Sequence, residues 1–297
     1  MMIREPAVAG MFYPRDPEQC RRELRACLEK AAQAAAGHEP AAVLGRIIGG
    51  IVPHAGWVCS GAVAARVFNL VSKEPHPSAV VLFGAVHVAH GPRASFFPSG
   101  AWETPLGLVE VDDRLAERLQ GHTGLMEPAP HAHDQEHSIE VQVPFIQYLL
   151  PDAKIVPIMV PPTNNAAVLG TAVGRACKSL DAQVVFIGST DLTHYGPGYG
   201  FIPAGVGPEG LAWAKNVNDR RMIGLILALN HYGAVEEAEA NQNACGAGAV
   251  AAAVAACKAY GATRATLLEH TTSFEVLREM YDEPMRDAVG YAALAFD

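Results

Sequence analysis

The chain has 297 residues, of which 50% are hydrophobic and 18% charged, and its 22 basic and 31 acidic residues leave a net charge of −9. This composition excludes a disordered chain, a coiled coil and a collagen-like rod, and the length suffices for a full core. The acidic balance, with no basic stripe, argues against a nucleic-acid partner. Residues 17–36 are alanine-rich and helix-forming, with Gly37 as the stop. The apolar run 46–52, bounded by glycine and proline, reads as a buried strand, and 61–70 as a helix. A second buried strand is expected at 79–83. The stretch 98–105 is turn-rich, 112–120 reads as a helix, and 137–149 as mostly helical despite Pro144. Strand 154–160, helix 165–179 and strand 183–187 follow. Helices at 218–229 and 246–259 and late strands at 266–270 and 289–296 complete the pattern.

Strands alternate with helices, and the strands are continuous apolar runs, so both of their faces are expected to be covered. The implied architecture is α/β: one layered domain over 1–297 with a mostly parallel central sheet flanked by helices. The most apolar segment, 247–257, is too short to span a bilayer, so no membrane partner is expected. Residues 1–10 contain Glu5 and Pro6 and do not read as a signal peptide. The six cysteines form no CxxC pair, which points to a reducing, cytoplasmic compartment.

Chemistry-bearing residues follow the buried strands, where open α/β sheets place their ligands. The first strand runs into Pro53–His54–Ala55–Gly56–Trp57, the second into Gly84–Ala85–Val86–His87 with His90 beyond it, and a third into Gly188–Ser189–Thr190–Asp191–Leu192–Thr193–His194–Tyr195. His54 and His87 are metal-ligand candidates, since neutral imidazole suits iron, copper and zinc. Cys245 is the candidate third ligand. It lies in Asn241–Gln242–Asn243–Ala244–Cys245–Gly246, a polar segment at a helix start, where thiolate character is favoured. The alternative is a buried free thiol, as expected for Cys177 and Cys257. Asp191 and His194 form a carboxylate–imidazole pair in which His194 can move a proton. The competing reading is an Asp capping a turn and a His packed on Tyr195.

The densest polar cluster is 131–140. His133 and His137 match the HxxEH spacing of one zinc-peptidase class. His133 follows a proline and several short polar residues, which places it before the helix start. Glu136, His137 and Glu140 are then expected to line the pocket from the side. No glycine-rich phosphate motif and no GxSxG elbow occur.

Together, Arg4–Glu5–Pro6–Ala7–Val8–Ala9–Gly10–Met11–Phe12–Tyr13–Pro14, the segment at His54, the histidine after Phe83–Gly84, Glu136–His137–Ser138–Ile139–Glu140, 191–194, the region of Cys245 and Gly290–Tyr291–Ala292–Ala293 resemble the MEMO family over nearly the whole chain. The resemblance implies a fold like that of class III extradiol dioxygenases, the LigB-like non-haem iron enzymes. It further implies a His54, His87, Cys245 metal triad with cysteine in place of the dioxygenase carboxylate, and His194 as acid/base with Asp191 beside it. Fe(II) or copper is the implied metal, zinc less so. The acidic surface leaves a small phenol, a peptide or a protein partner open as ligand, and the partners implied by the resemblance are the radical-SAM and AMMECR1-like proteins of the AmmeMemoRadiSam system. A non-catalytic copper- or iron-binding module acting through a protein partner is the alternative. Two departures stand out. Gly84–Ala85–Val86 replaces a frequent Pro-Ser before the histidine, and Val88 follows it where a second histidine can occur.

Overall fold

The computed structural model describes residues 1–37, 45–75, 77–88, 91–278 and 286–297. His90 lies outside them. Strand β1 (Ile3–Arg4) precedes helix α1 (Pro17–Gly37), then β2 (Gly49–Val52), α2 (Trp57–Val71) and β3 (Ala79–Gly84). Three short strands follow, β4 (Ala94–Phe96), β5 (Ala101–Thr104) and β6 (Gly107–Glu110), then α3 (Asp113–Thr123) and β7 (Met126–Pro128). The middle of the chain supplies α4 (Val143–Leu149), β8 (Lys154–Met159), α5 (Asn165–Ser179), β9 (Val184–Ser189) and β10 (His194–Tyr195). The rest is α6 (Pro208–Trp213), a π turn at Ala214–Asn218, α7 (Asp219–Leu227), α8 (Gly233–Asn241), α9 (Ala247–Tyr260), β11 (Ala265–Thr272), α10 (Ser273–Arg278) and β12 (Ala288–Phe296).

The large sheet has the order β10-β12-β2-β9-β3-β8-β4-β7, with β11 paired to β12. Only its centre, β2-β9-β3-β8, is continuously parallel. The pairings of β12 with β2, β10 and β11, and of β4 with β8, are antiparallel. The expectation of a mostly parallel sheet is corrected accordingly: the fold is α/β with a mixed sheet. The antiparallel edge was hidden because β12, like the central strands, is buried along its whole length, and a buried apolar run carries no sign of its direction.

Alternation along the central strands explains their unbroken apolar character. Val81 and Phe83 of β3 join Phe186 of β9, α5 and α9 in one core. Val80 and Leu82, with Val185 and Ile187, face a second core against α1, α2 and α4. Helices α5 and α9 approach to backbone distance: a Cβ on Gly170 would run into the carbonyl of Ala252, and one on Gly174 into that of Ala256. Glycine facing alanine allows that approach.

Two expected elements differ. The stretch 137–149 begins irregularly, passes through a 3-10 turn at Glu140–Gln142 and is α-helical only from Val143, because Pro144 suits a first helical turn rather than an interior one. The turn-rich 98–105 contains β5, which pairs with β1 and β6 in a separate three-stranded sheet. No helix among the described residues is long and apolar enough to cross a membrane. All six cysteines are free.

Candidate metal centre

Because β2, β9 and β3 are adjacent and parallel, their carboxyl ends open on one edge of the sheet. His54 lies just past β2 and His87 just past β3. Ser189 ends β9 in register with Val52. The irregular segment before α4 brings His137 to the same place. Ligand atoms of His54, His87 and His137 all lie within 4.8 Å of one another. The rings of His87 and His137 stack, with centroids 4.6 Å apart at 18°. His54 stands nearly perpendicular to both, at 84° and 90°. His137, expected to line the pocket from the side, is therefore a member of the histidine group itself.

Hydrogen bonds fix which nitrogens are available. Ser189 Oγ donates its one hydrogen to the carbonyl of Ser138 (2.7 Å) and accepts from Gln142 Nε2 (3.2 Å). It must therefore accept from His54 Nδ1 at 3.1 Å, which leaves His54 Nε2 without a hydrogen and facing Cys245 Sγ. Glu136 does the same for His87: its carboxylate lies 3.0 and 3.2 Å from Nδ1 and also accepts the backbone N–H groups of His87 and Ser138, each at 2.8 Å. Imidazoles tied at Nδ1 and free at Nε2 are what a metal requires.

Electrostatics agree. Burial pushes His54 down to about 3, assisted by the neighbouring His87. Burial likewise pushes His137 down to about 4, with His54 and His87 adding to it. His87 also suffers burial, but Glu136 outweighs it and leaves the ring above its ordinary value. Burial opposes ionisation of Glu136 too, yet the bonds to His87 and Ser138 hold its carboxyl well below the usual range.

Cys245 Sγ lies 3.2 Å from His54 Nε2 and 3.6 Å from the carbonyl oxygen of Asp191. Burial, reinforced by Asp191, raises this thiol far above its ordinary value. The expected thiolate character is thus absent in the metal-free state: desolvation outweighs the start of α9. A cation held by this thiol would reverse that balance, since a coordinated thiol loses its proton.

Asp191 is buried and accepts the backbone N–H groups of His54 (2.7 Å) and Ala55, while burial raises its pKa. His194 starts β10, 5.1 Å from the Tyr199 ring, and burial lowers its pKa against the pull of Asp191. Its Nε2 is buried with no hydrogen-bond partner among the described residues.

Glu140 has a different role from Glu136. It accepts from Arg4 Nη1 (2.5 Å), the N–H groups of Ala7 (2.8 Å) and Val8 (3.0 Å), and Tyr13 Oη (2.7 Å). It clasps the N-terminal segment, which in turn sets Phe12 edge-on against His137 at 4.9 Å. His133 is buried between the rings of Phe97 and Trp102, 5.8 and 5.7 Å away, and is not in the histidine group. The HxxEH spacing falls across a 3-10 turn and a loop, so no helix aligns it.

The family description "Memo-like protein" matches residues 4–295. The chain belongs to the Memo-like protein family. Among relatives, a MEMO1 family protein of Thermococcus onnurineus is 39% identical over 303 residues, covering 99% of each chain. A MEMO1 family protein of Methanothermobacter thermautotrophicus is 38% identical over 300 residues, covering 99% of this chain and 100% of its own. An uncharacterized Escherichia coli protein of known structure is 13% identical, with a TM-score of 0.43, covering 76% of this chain and 89% of its own. In this Memo-like chain, Ser189, Gln142 and Phe12 are the site residues that sequence reasoning missed. Ser189 carried a signal, since it ends a buried strand beside two histidine-bearing ones. Gln142 and Phe12 carried none.

Proposed function

We propose that the chain is a transition-metal protein with dioxygenase-type oxidoreductase activity, its metal held by His54, His87 and Cys245 with His137 beside them. The observation that carries this reading is the orientation of the imidazoles: Ser189 and Glu136 accept from Nδ1 of His54 and His87, and ligand atoms of these two and His137 lie within 4.8 Å of one another. The donor set of imidazoles and a thiol suits Fe(II) or copper, and zinc as a structural substitute. Bound there, such a metal supplies Lewis-acid and redox chemistry to a substrate in an open position. The class III extradiol dioxygenase architecture is part of the same reading, supported by the strand-end placement of the histidines.

The protein's own residues supply the rest. Burial keeps His54 and His137 neutral, so no proton competes for their lone pairs at neutral pH. Asp191 holds the backbone at His54 and Ala55 and draws positive charge toward His194. His194, with its unpartnered buried Nε2, accepts a proton from the hydroxyl of a small phenolic ligand and returns it on product formation.

The test is anaerobic loading with Fe(II) or Cu(I), metal analysis, and oxygen uptake on a panel of catechols. Uptake that disappears in His194→Ala while bound metal is unchanged supports turnover. Full metal binding without uptake on any substrate supports a metal-holding module instead.

A further inference from the structure

A buried polar cluster lies behind β10, outside the metal group. Its centre is Asp219, the first residue of α7, immediately after the π turn at Ala214–Asn218. Asp219 Oδ1 accepts the backbone N–H of Thr193 at 3.0 Å, and Oδ2 accepts from His270 Nε2 at 3.0 Å. The two side chains are only 1% and 2% exposed. Asn218 of the same π turn donates through Nδ2 to Thr193 Oγ1 (3.1 Å) and to the carbonyl of Asn241 (2.8 Å). A widened turn is what lets two consecutive residues reach toward one neighbour. On its other side, Thr193 accepts the N–H of Gly290 at 3.0 Å, and Leu192 donates to Gly290 at 2.8 Å. Gly290 has no room for a side chain, because a Cβ there would run into the Asp219 carboxylate.

We propose that Asp219, presented by the π turn and clamped by His270, is a positioning residue for His194: it fixes the backbone at Thr193, the residue before His194, and so holds a buried carboxylate behind the imidazole. Two uncommon features converge on this role. A buried carboxylate is costly unless satisfied, and Asp219 is satisfied by the residue next to His194 and by a second buried histidine. Asp191 and Asp219 favour the charged form of His194, and His87 and His54 oppose it; the Tyr199 ring packs against it. Asp219 thereby offsets part of the burial that keeps the imidazole from accepting a proton.

The inference rests on His194 acting as the acid/base, but its test reads no turnover and fails separately from that reading. Histidine-labelled full-length protein, treated with chelator, is titrated by NMR, with the His194 ring assigned from its absence in His194→Asn. Asp219→Asn keeps the shape and removes the charge. The expected result is a His194 midpoint moved to lower pH, with cooperative unfolding retained. His270→Gln, which still donates to Asp219, leaves the midpoint close to wild type. If Asp219→Asn does not fold, Gly290→Ala displaces the carboxylate without deleting it and is read in the same way. A folded variant of either kind with an unmoved His194 midpoint and unchanged ring shifts overturns the proposal.

Discussion

His54 Nδ1 lies 3.1 Å from Ser189 Oγ, and this contact decides which nitrogen of the ring faces the site. Ser189 has only one hydrogen and spends it on Ser138, so the serine can only accept from the imidazole. Ser189→Ala removes that acceptor and frees the tautomer. Metal affinity is expected to fall by about 10–100-fold, the usual effect of losing an outer hydrogen bond at a metal-bound histidine. Competition against a chelator of known affinity measures it, and an unchanged affinity removes the tautomer argument.

The third ligand is decided by cobalt. Co(II)-loaded protein is expected to show an intense sulfur-to-metal charge-transfer band, lost in Cys245→Ala and kept in His137→Ala. The reverse pattern, with no sulfur band and binding lost in His137→Ala, makes the centre an all-histidine one. Cys245 Sγ lies 3.2 Å from His54 Nε2 but is not in the group of ligand atoms within 4.8 Å of one another, which is His54, His87 and His137 among the described residues, so this test separates the two centres.

Metal-free protein is expected to lose stability as pH falls. His54 and His137 have folded values of about 3 and about 4 against an ordinary 6.5. Between these values the unfolded chain binds protons that the folded one refuses, so stability falls as pH drops below about 6.5. His87 is shifted the other way, so it carries its proton in both states below about 6.5 and acts only above that pH. The two refused protons give a slope of at most about 2.7 kcal/mol per pH unit, about 1.4 for each. Urea midpoints between pH 8 and pH 5 measure this slope, and His137→Gln is expected to flatten it.

Removing the Glu140 clasp strands a buried guanidinium. Glu140→Ala leaves Arg4 without its carboxylate and costs about 3–5 kcal/mol. Denaturant unfolding measures the loss. Metal affinity is expected to weaken as well, because the same segment places Phe12 against His137. A loss below about 1 kcal/mol is the magnitude of an exposed pair and contradicts the assignment of a buried clasp.

Gly174→Ala forces a methyl group against the backbone of α9. The expected cost is about 1–3 kcal/mol, the range for overpacking a filled core. Thermal melting of the variant checks it. No change in melting temperature means that α5 and α9 separate more easily than their packing suggests.

Much of the site was legible in the sequence, because its logic is local to strand ends. His54, His87 and the stretch 191–194 each follow a buried apolar run, and parallel neighbours bring such ends together without further information. What stayed hidden depended on partners distant in the chain. Glu136 and Glu140 sit four residues apart and look alike, yet one accepts from His87 and the other from Arg4, Ala7, Val8 and Tyr13. Nothing in their own neighbourhood separates the two. The antiparallel edge was hidden for a related reason: direction is a property of connections, and β12 shows only its burial.

The start of α9 has a mechanical consequence. Gly246 donates to Thr190 Oγ1 at 2.9 Å, and Gly248 abuts the carbonyls of Val160 and Pro161. Cys245 is therefore held by a helix start that packs on the residues just past β9 and β8, while His87 and His137 come from irregular segments. If Cys245 proves to be a ligand, an ion of different radius would be accommodated first on the side of His87 and His137, whose segments lack regular structure.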